Sequence, residues 1–259
     1  MALSQSKKKR PEREKKQFKI KRRIESQVFD IPTLKELSRL IGKRVFDTLD
    51  HPIAIGKEAK VFRATKETVN GKKTYLAVKI FRIETSSFDK MTDYLKGDPR
   101  FDRVKKRKLE IIKAWTRKEY MNLKIAYNAK INVPKPIGYT RNILIMQFLG
   151  QKGEPYPTLQ EYGPLDAKEE FKQLIKDMKK LYEIGLVHGD LSPFNILQTP
   201  KGLYIIDVGQ AVILKHPKAQ EFLERDVRNI INYFKKFGIK KTPEELLEYI
   251  RGKIKDKPF

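Results

Sequence analysis

The chain has 259 residues and carries 57 Lys and Arg against 32 Asp and Glu, a formal net charge of +25. It has no cysteine, which excludes disulfides and thiolate metal sites, and no apolar run of about 18 residues, which excludes a membrane-spanning helix. Its polar, basic start also lacks the apolar segment of a secretory signal, so the sequence predicts a soluble, cytoplasmic protein whose charge favours polyanionic partners.

A flexible, basic N-terminal arm is predicted over residues 1–30. Eleven of the first 23 residues are Lys or Arg, with few large apolar residues among them. Such a composition buries too little apolar surface to fold alone, and its cations suit contacts with nucleic-acid phosphates. A second basic cluster is expected on an exposed helix face. Its members are Arg100, Arg103, Lys105, Lys106, Arg107, Lys108, Lys113, Arg117 and Lys118. For both segments the alternative is a solvated, solubilising surface.

A helix over residues 33–49 is predicted ahead of the first strand, with Thr33 and Glu36 forming a capping box. Runs of apolar and β-branched residues then predict strands. They are expected near residues 52–55, 61–65, 74–83, 137–140 and 143–149. This alternation of a leading helix with short strands indicates a β-rich first lobe.

The turn between the first two strands occupies the position of a phosphate-binding loop, although it has one glycine, which can equally serve only the turn. The residues predicted to contact a nucleotide there are Ile55, Gly56, Lys57, Glu58, Ala59 and Val61. Lys79 interrupts the apolar run Leu76-Ala77-Val78-Lys79-Ile80, as expected for a strand that directs an ammonium at the α- and β-phosphates.

A helical Glu is expected to pair with Lys79, and Glu119 is the preferred candidate, with Glu110 as the alternative. Because Glu119 lies forty residues after Lys79, an insertion must separate the strand from the helix. Within it, residues 84–99 show no sustained periodicity and are expected to form a mobile or functional loop. Ser86 and Ser87 are either autophosphorylation sites or ordinary loop serines.

The strand that ends near residue 149 leads into a predicted hinge. Backbone groups of Gln147 and Phe148 are expected to receive an adenine edge there. A helix then follows, with Asp166 as its N-cap, Glu169 completing a capping box and Gly185 at its end. The segment after this helix contains the motif that most clearly indicates a chemical role.

That stretch is Leu186-Val187-His188-Gly189-Asp190-Leu191-Ser192-Pro193-Phe194-Asn195, followed by Asp207-Val208-Gly209. An Asp with an Asn five residues later, then a second Asp in a DxG turn, supplies one base and two magnesium ligands for phosphoryl transfer. Asp190 is the predicted base, Asn195 and Asp207 the metal ligands, and His188 a buried support for the loop. Alternatively, Asp190 and Asn195 are ordinary turn formers.

The order of these elements is that of a protein kinase. The sequence therefore predicts an α+β, bilobal, protein-kinase-like fold with ATP and Mg2+, or Mn2+, as cofactors. Its β-rich N-lobe spans residues 31–148 with the leading helix, and its mainly helical, truncated C-lobe spans residues 149–259. The 52 residues after Asp207 leave little room for peptide-docking helices. Pro243-Glu244 is interpreted as a helix start, with Thr242 as N-cap and Glu245 closing a capping box.

Taken together, five segments resemble the RIO family of atypical serine/threonine kinases, in particular its Rio-one branch. They are Ile55-Gly56-Lys57-Glu58-Ala59-Lys60-Val61-Phe62, Trp115 to Leu123, His188-Gly189-Asp190-Leu191-Ser192 with Asn195, Ile205 to Val212, and His216 to Asp226. The Rio-two branch carries a winged-helix domain ahead of the kinase core, for which about fifty residues are too few. Gly189 replaces the Arg of ordinary protein kinases, so control by activation-loop phosphorylation is not expected.

The resemblance implies an ATPase or autophosphorylating switch, with the DxG aspartate, here Asp207, as phosphate acceptor. It also implies a role in maturation of the small ribosomal subunit, with the precursor particle and its rRNA as partners, and the oligomeric state stays open. Two alternatives remain: a small-molecule phosphotransferase of the aminoglycoside type, which shares His-Gly-Asp with Asn five residues later, and a catalytically idle RNA-binding scaffold.

Overall fold

The computed structural model describes residues 29–83, 88–105 and 107–253. The cationic residues of the predicted arm, Ser86, Ser87 and Lys106 all lie outside these residues. The described residues divide into two units, with the boundary between Val45 and Phe46. In the part of the chain that the structure describes, no helix is both long enough and apolar enough to cross a bilayer.

The first unit contains helix α1, Ile31–Gly42. The Asp30 side chain caps it by accepting a hydrogen bond from the Thr33 backbone N–H at 2.9 Å, and a proline lies in its first turn. The prediction of a helix over residues 33–49 with Thr33 as the cap was therefore wrong at both ends. Asp caps helices well, and proline in the first turn removes an N–H that would lack a partner. The chain turns after Gly42, with Arg44 at a φ of 53°.

The second unit begins with a five-stranded antiparallel sheet in the order β1-β2-β3-β5-β4. Its strands are β1 Thr48–Ile55, β2 Ala59–Glu67, β3 Lys73–Phe81, β4 Pro136–Thr140 and β5 Ile143–Gln147. They lie where the sequence predicts strands, with boundaries shifted by a few residues. Lys79 occupies the central strand, opposite Val61 on one side and Leu144 on the other. Its position in the sheet is therefore fixed by two ladders.

The insertion between β3 and the next long helix is more ordered than predicted. It contains helix α2, Phe88–Leu95, and a 3-10 turn, Pro99–Phe101, before helix α3, Lys108–Asn128. Met91 and Leu95 are buried in a cluster that includes Phe81, Phe101 and Trp115. The prediction of a loop over residues 84–99 is therefore wrong for Phe88–Leu95, and residues 84–87 lie outside the described residues. Phe88, Met91 and Leu95 recur at helical spacing, but eight residues give too short a pattern to detect reliably.

The second basic cluster does not form one helical face. The residues numbered 100–105 and Arg107 precede α3, and Arg100 pairs with the buried Asp98 at 2.6 Å. Lys118 is fully buried, which contradicts its placement among solvent-exposed cations. Exposed members remain. They are Arg103, Lys105, Arg107, Lys108 and Arg117.

The remaining elements form a mainly helical lobe. Its helices are α4 Leu159–Tyr162, α5 Ala167–Glu183, α6 Ala219–Lys235 and α7 Pro243–Ile250. Short strands connect them: β6 Gly150–Gln151, β7 Glu154–Pro155, β8 Leu186–Val187, β9 Ile196–Thr199, β10 Gly202–Ile205 and β11 Val212–Ile213. One apolar core joins Phe171 and Leu174 of α5 with Val227 and Phe234 of α6. The described residues thus form an α+β architecture, with a β-sheet in the N-terminal part and mainly helices in the C-terminal part.

Two of the three predicted N-terminal cap arrangements in this lobe are confirmed, and Gly185, at a φ of 84°, follows the end of α5 as predicted. Thr242 accepts from the Glu245 N–H, and the Glu245 carboxylate accepts from the Thr242 N–H, which is the predicted capping box of α7. Asp166 caps α5 by accepting from the backbone N–H groups of residues 168 and 169. Glu169 does not complete a box there, because its carboxylate accepts from the Lys172 ammonium at 2.7 Å.

Candidate active site

Lys79, Glu119 and Asp207 converge between the sheet, helix α3 and the turn that follows β10. The Lys79 ammonium donates to Oε1 of Glu119 and to Oδ1 of Asp207, each at 2.8 Å. Lys79 and Glu119 have side-chain exposures of 8% and 2%, whereas the Asp207 side chain is 48% exposed. The competing candidate, Glu110, instead pairs with Lys113 at the surface. The structure therefore places Glu119 beside Lys79.

The charges of this cluster stabilise one another. Burial alone would lower the pKa of the Lys79 ammonium, but Asp207 and Glu119 outweigh it and raise that pKa. Burial likewise favours a raised pKa for Asp207, yet the ion pair with Lys79 lowers it. Glu119 has its pKa raised by burial, against the opposing effect of Lys79. At neutral pH the cluster thus presents a charged ammonium beside an ionised Asp207.

The predicted base, Asp190, lies on a loop that follows β8. Hydrogen bonds hold both its backbone carbonyl and its side chain. The Asn195 amide donates to the Asp190 carbonyl at 2.9 Å, and the Gln210 amide donates to Asp190 Oδ2 at 2.9 Å. Burial and the nearby Asp207 charge raise the pKa of Asp190. A raised pKa moves a carboxylate towards the range in which it accepts a proton effectively at neutral pH.

His188 supports this loop from inside, as predicted. Its ring is 2% exposed, and Nδ1 lies 3.3 Å from the Asp190 backbone nitrogen, which donates to it. Nδ1 is therefore unprotonated, and Nε2 carries the hydrogen that faces the Ile206 carbonyl at 3.4 Å. Burial lowers the pKa of His188 to about 4. The ring is neutral at physiological pH and acts as a support.

Three further residues at the loop were not identified from the sequence. The Asp226 carboxylate, on α6, accepts from the backbone N–H groups of Gly189 at 2.7 Å and Leu191 at 2.8 Å. Arg225 donates to the Gly189 carbonyl and the Tyr94 hydroxyl. Gln210 holds Asp190, as described above. Asp226 and Arg225 lie in the quoted segment His216 to Asp226, where charged residues between apolar helical positions were the available signal.

Helix α3 also contacts the turn that carries Asp207. Lys118 donates to the carbonyls of Gly209 at 2.7 Å and Ala211 at 2.6 Å. Asn122, one helical turn later, donates to the carbonyls of Val208 at 3.1 Å and Ala211 at 2.8 Å. Both side chains are fully buried. Their sequence signal was a pair of polar residues spaced four apart on a helix beside Trp115 and Leu123.

The predicted phosphate loop is the tight connection between β1 and β2. The Gly56 N–H donates to the Ala59 carbonyl at 2.9 Å and closes the turn. Ile55, Gly56 and Lys57 are exposed, Val61 is half-buried and Ala59 is buried. Glu58 is half-buried, and burial together with the Asp207 charge raises its pKa. Glu58 therefore lies close enough to Asp207 for that charge to act on it.

At the hinge, the structure distinguishes the two predicted adenine contacts. The Gln147 N–H donates to the Lys135 carbonyl at 2.9 Å, and the Gln147 side-chain oxygen accepts from the Lys135 N–H at 3.1 Å. The Gln147 N–H is therefore already used. Phe148 directly follows β5, and its ring lies 5.8 Å from the ring of Tyr75 on β3.

The donor set suits magnesium bound together with a nucleotide. Asn195 uses its amide nitrogen on Asp190, so the amide oxygen is the atom left for a cation. Asp207 adds a half-exposed carboxylate. Within the described residues, no group of three or more His, Cys, Asp or Glu side chains is arranged to hold a metal by itself. Mg2+ takes few protein carboxylates and completes its shell with waters and phosphate oxygens, so these residues fit it.

Comparisons with known proteins agree with this geometry. A family model of the RIO domain matches residues 60–247. The "RIO-type serine/threonine-protein kinase Rio1" of Haloferax volcanii is 39% identical over 230 residues, which cover 89% of this chain and 78% of the relative. The protein of the same name from Thermoplasma acidophilum is 43% identical over 193 residues, covering 74% of this chain and 100% of the relative.

A solved structure supports the fold. The crystal structure of the "Rio2 kinase-ADP/Mg2+-phosphoaspartate complex" from Chaetomium thermophilum superposes with a TM-score of 0.63 at 23% identity, covering 86% of this chain and 66% of that chain. The predicted α+β, protein-kinase-like fold is therefore confirmed. With the sequence matches, the chain belongs to the RIO family, in its Rio1 branch, and is an enzyme of the RIO-type serine/threonine kinase class. The family expected from the sequence motifs is therefore confirmed.

Proposed function

We propose that this protein binds ATP with Mg2+ and transfers its γ-phosphoryl group, acting as an autophosphorylating kinase or ATPase. The observation that carries the proposal is the meeting of Lys79, Glu119 and Asp207 at 2.8 Å contacts. Asp190 and Asn195 are tied to each other on the neighbouring loop. Phosphoryl transfer depends mainly on positioned charge of this kind.

Each residue has a specific role. The Lys79 ammonium has three N–H donors, of which Glu119 and Asp207 use two, so the third is available to a phosphate oxygen. Asn195 and Asp207 would hold Mg2+, which neutralises phosphate charge when bound. Asp190 would orient an acceptor hydroxyl and take its proton while the bond between the γ-phosphorus and the β–γ bridging oxygen breaks and ADP leaves.

Beside Asp190 there is space for an acceptor. A cavity of about 480 Å3 is lined by Asp190 and Gln210 together with side chains of α2 and α6, including Tyr94 and Arg225. Water can enter such an open cavity, and so can a hydroxyl-bearing side chain. The cavity therefore accommodates both hydrolysis and transfer to a protein.

Asp207 itself is the proposed acceptor in the autophosphorylated form. Its carboxylate is ionised and half-exposed, so it can attack the γ-phosphorus without a proton transfer while the bond to the β–γ bridging oxygen breaks and ADP leaves. The Rio2 structure from Chaetomium thermophilum is titled as an ADP/Mg2+-phosphoaspartate complex. An acyl phosphate formed on Asp207 would then be hydrolysed to release phosphate.

The proposed site of action is the precursor of the small ribosomal subunit and its rRNA. The net charge of +25 and the exposed cations between Arg103 and Arg117 support binding to a polyanion. Such phosphate contacts are salt-sensitive and largely independent of base sequence. Among polyanions, the resemblance to the RIO family favours this particle, and the strong positive charge of the chain suits an RNA-rich partner.

The experiment that tests the function follows the fate of the γ-phosphate. Purified protein is incubated with γ-labelled ATP and Mg2+, with and without small ribosomal particles, and label is measured on the protein, on added protein substrate and as free phosphate. Hydroxylamine-labile label that disappears in Asp207→Asn, or phosphate release changed by particles, supports the proposed switch. Stable label on an added substrate would indicate an ordinary kinase, and no turnover would indicate a scaffold.

A further inference from the structure

The buried contacts between helix α3 and the turn after Asp207 exceed what packing requires. Lys118 and Asn122 lie one helical turn apart, and both are fully buried. Between them they donate hydrogen bonds to the carbonyls of Val208, Gly209 and Ala211. The Ala211 carbonyl accepts from both side chains. The main chain of residues 208–211 is therefore held by two side chains of one helix.

A lysine is a costly residue for this position. Burial of an ammonium is unfavourable, and here burial lowers the pKa of Lys118 to about 7. The Lys118 nitrogen also lies 5.0 Å from the Trp115 ring centroid and 5.9 Å from that of Tyr94. A methionine would fill similar space without that cost, but it has no N–H to give the two carbonyls. Hydrogen bonding to the turn is thus what the lysine adds.

The held segment begins directly after Asp207. Asp207 has a φ of 58°, in the left-handed region that a residue with a side chain rarely adopts, and such a conformation persists only when its surroundings fix it. Before Asp207, the Ile206 N–H donates to the Asn195 carbonyl at 2.9 Å. After it, Lys118 and Asn122 fix residues 208–211. The backbone of Asp207 is therefore secured on both sides.

The same helical turn also reaches the Asp207 carboxylate through side chains. Glu119, adjacent to Lys118, accepts from Lys79, and Lys79 donates to Asp207 Oδ1. Helix α3 thus determines where the carboxylate lies in two ways, through the Lys79 ion pair and through the backbone of the turn. A shift of the helix would move both.

We infer that Lys118 and Asn122 are positioning residues, which set the Asp207 carboxylate for the metal by fixing the main chain of residues 208–211. The inference rests on the proposed function, since it assigns them to the metal ligand of that reaction. Both side chains are fully buried and donate to backbone carbonyls, so their role is positional rather than catalytic. Their removal should weaken metal use more than it weakens nucleotide binding without metal.

The test compares Lys118→Met, Asn122→Ala and Lys124→Met. Lys124 lies on the same helix but is exposed, so the same substitution there is the matched control. For each full-length protein, the measurements are the Mg2+ concentration that gives half-maximal ATP turnover, the Kd for ADP in EDTA, and Tm. Residues that support metal ligands commonly change metal affinity about 10- to 100-fold. We expect a rise of that size in the Mg2+ requirement for Lys118→Met and a smaller rise for Asn122→Ala, which leaves Lys118 on the Ala211 carbonyl.

The readouts separate positioning from folding. ADP affinity in EDTA should stay within about threefold in every variant, because the contacts of the nucleotide itself are unchanged. A lower Tm with an unchanged Mg2+ requirement in Lys118→Met and Asn122→Ala would overturn the inference. If Lys118→Met does not fold, Asn122→Ala decides by the same criterion. Absence of Mg2+-dependent turnover in the unsubstituted protein would instead overturn the proposed function.

Discussion

The Lys79 ammonium and the Glu119 carboxylate lie 2.8 Å apart although 40 positions separate them in the chain. Both side chains are nearly buried, with exposures of 8% and 2%. A buried pair of this kind contributes little net stability as a pair, but removal of one partner leaves the other charge without compensation. Substitutions here therefore distinguish stability from catalysis.

Lys79→Met should lose activity and stability together. Breaking a buried ion pair from one side commonly costs about 3 to 5 kcal/mol, and loss of a charge that stabilises a transition state commonly costs about 10^2- to 10^3-fold in kcat. The double variant Lys79→Met with Glu119→Gln should regain much of the stability but none of the activity. Chemical denaturation and ATP turnover measure the two effects. Recovery of turnover in the double variant would contradict the role of Lys79.

Asp190→Asn should remove the base while preserving shape. The amide can still accept the hydrogen bond from Gln210 through its oxygen, so the loop should keep its conformation. Loss of a positioned base commonly lowers the rate about 10^2- to 10^4-fold. We expect such a fall in turnover to free phosphate or a hydroxyl acceptor, with ADP affinity unchanged by isothermal titration. Undiminished turnover would show that Asp190 is not the base.

Asn195 and Asn229 provide a matched pair for the metal site. Each uses its side-chain amide to donate to a carbonyl of the catalytic loop: Asn195 to that of Asp190 at 2.9 Å, Asn229 to that of Leu191 at 3.2 Å. Only Asn195 is a proposed metal ligand. Asn195→Ala should raise the Mg2+ concentration for half-maximal turnover about 10-fold or more, whereas Asn229→Ala should leave it nearly unchanged. Equal shifts in the two variants would assign Asn195 to loop support alone.

His188 should make the folded protein acid-sensitive in a defined pH interval. Its pKa falls from 6.5 to about 4 on folding because burial disfavours the imidazolium. Between these values the unfolded chain binds the proton and the folded chain does not, so the free energy of unfolding falls as pH drops from 6.5 to about 4. The full effect is about 3 kcal/mol at 1.36 kcal/mol per pKa unit.

His188→Asn should flatten this dependence, since the Asn oxygen can accept from the Asp190 N–H without titrating. The measurement is urea unfolding across pH 4 to 7 without nucleotide or metal, with the exposed His51→Asn as control. Because other titrating groups are common to all three proteins, the difference between them isolates His188. The same slope in His188→Asn as in the unsubstituted protein would show that His188 is not the group responsible.

Gly189→Ala should disturb the catalytic loop. Gly189 has a φ of 78°, and a Cβ there would lie 3.0 Å from the Gln210 carbonyl oxygen. The left-handed conformation costs a residue with a Cβ about 1 to 2 kcal/mol, and displacement of Gln210 would loosen its hydrogen bond to Asp190. We expect lower Tm and reduced kcat, with Gly71→Ala as the control, since Gly71 has a similar φ but an open surrounding. Activity equal to that control would contradict a specific effect on the loop.

Much of the fold was predictable because its patterns are local or carry a recognisable spacing. The run around Lys79 is apolar apart from that one lysine, which is enough to indicate a strand, and Thr242 with Glu245 forms a capping box that depends on four adjacent residues. The roles expected of Asp190, Asn195 and Asp207 followed from their order in the chain. The structure places these side chains on adjacent segments.

Residues whose partners lie far away in sequence were harder to predict. In the sequence, Lys118 cannot be told apart from the exposed cations around it. Its burial is explained only by its hydrogen bonds to the carbonyls of Gly209 and Ala211, which lie more than ninety residues later. The role of Asp226 likewise depends on distant residues, because its carboxylate accepts hydrogen bonds from the backbone N–H groups of Gly189 and Leu191. Helix α2 was missed for a different reason, because eight residues offer too few turns for periodicity to exceed chance.

Trp115 is the single tryptophan of the chain. Its ring lies 5.0 Å from the Lys118 nitrogen, and a Cβ at Gly209 would be 3.2 Å from its Nε1, so the indole nitrogen borders the turn that carries Asp207. Indole emission is sensitive to nearby charge and polarity. The protein therefore has a built-in fluorescent reporter at the place where metal and phosphate would act, and their arrival can be followed without any attached label.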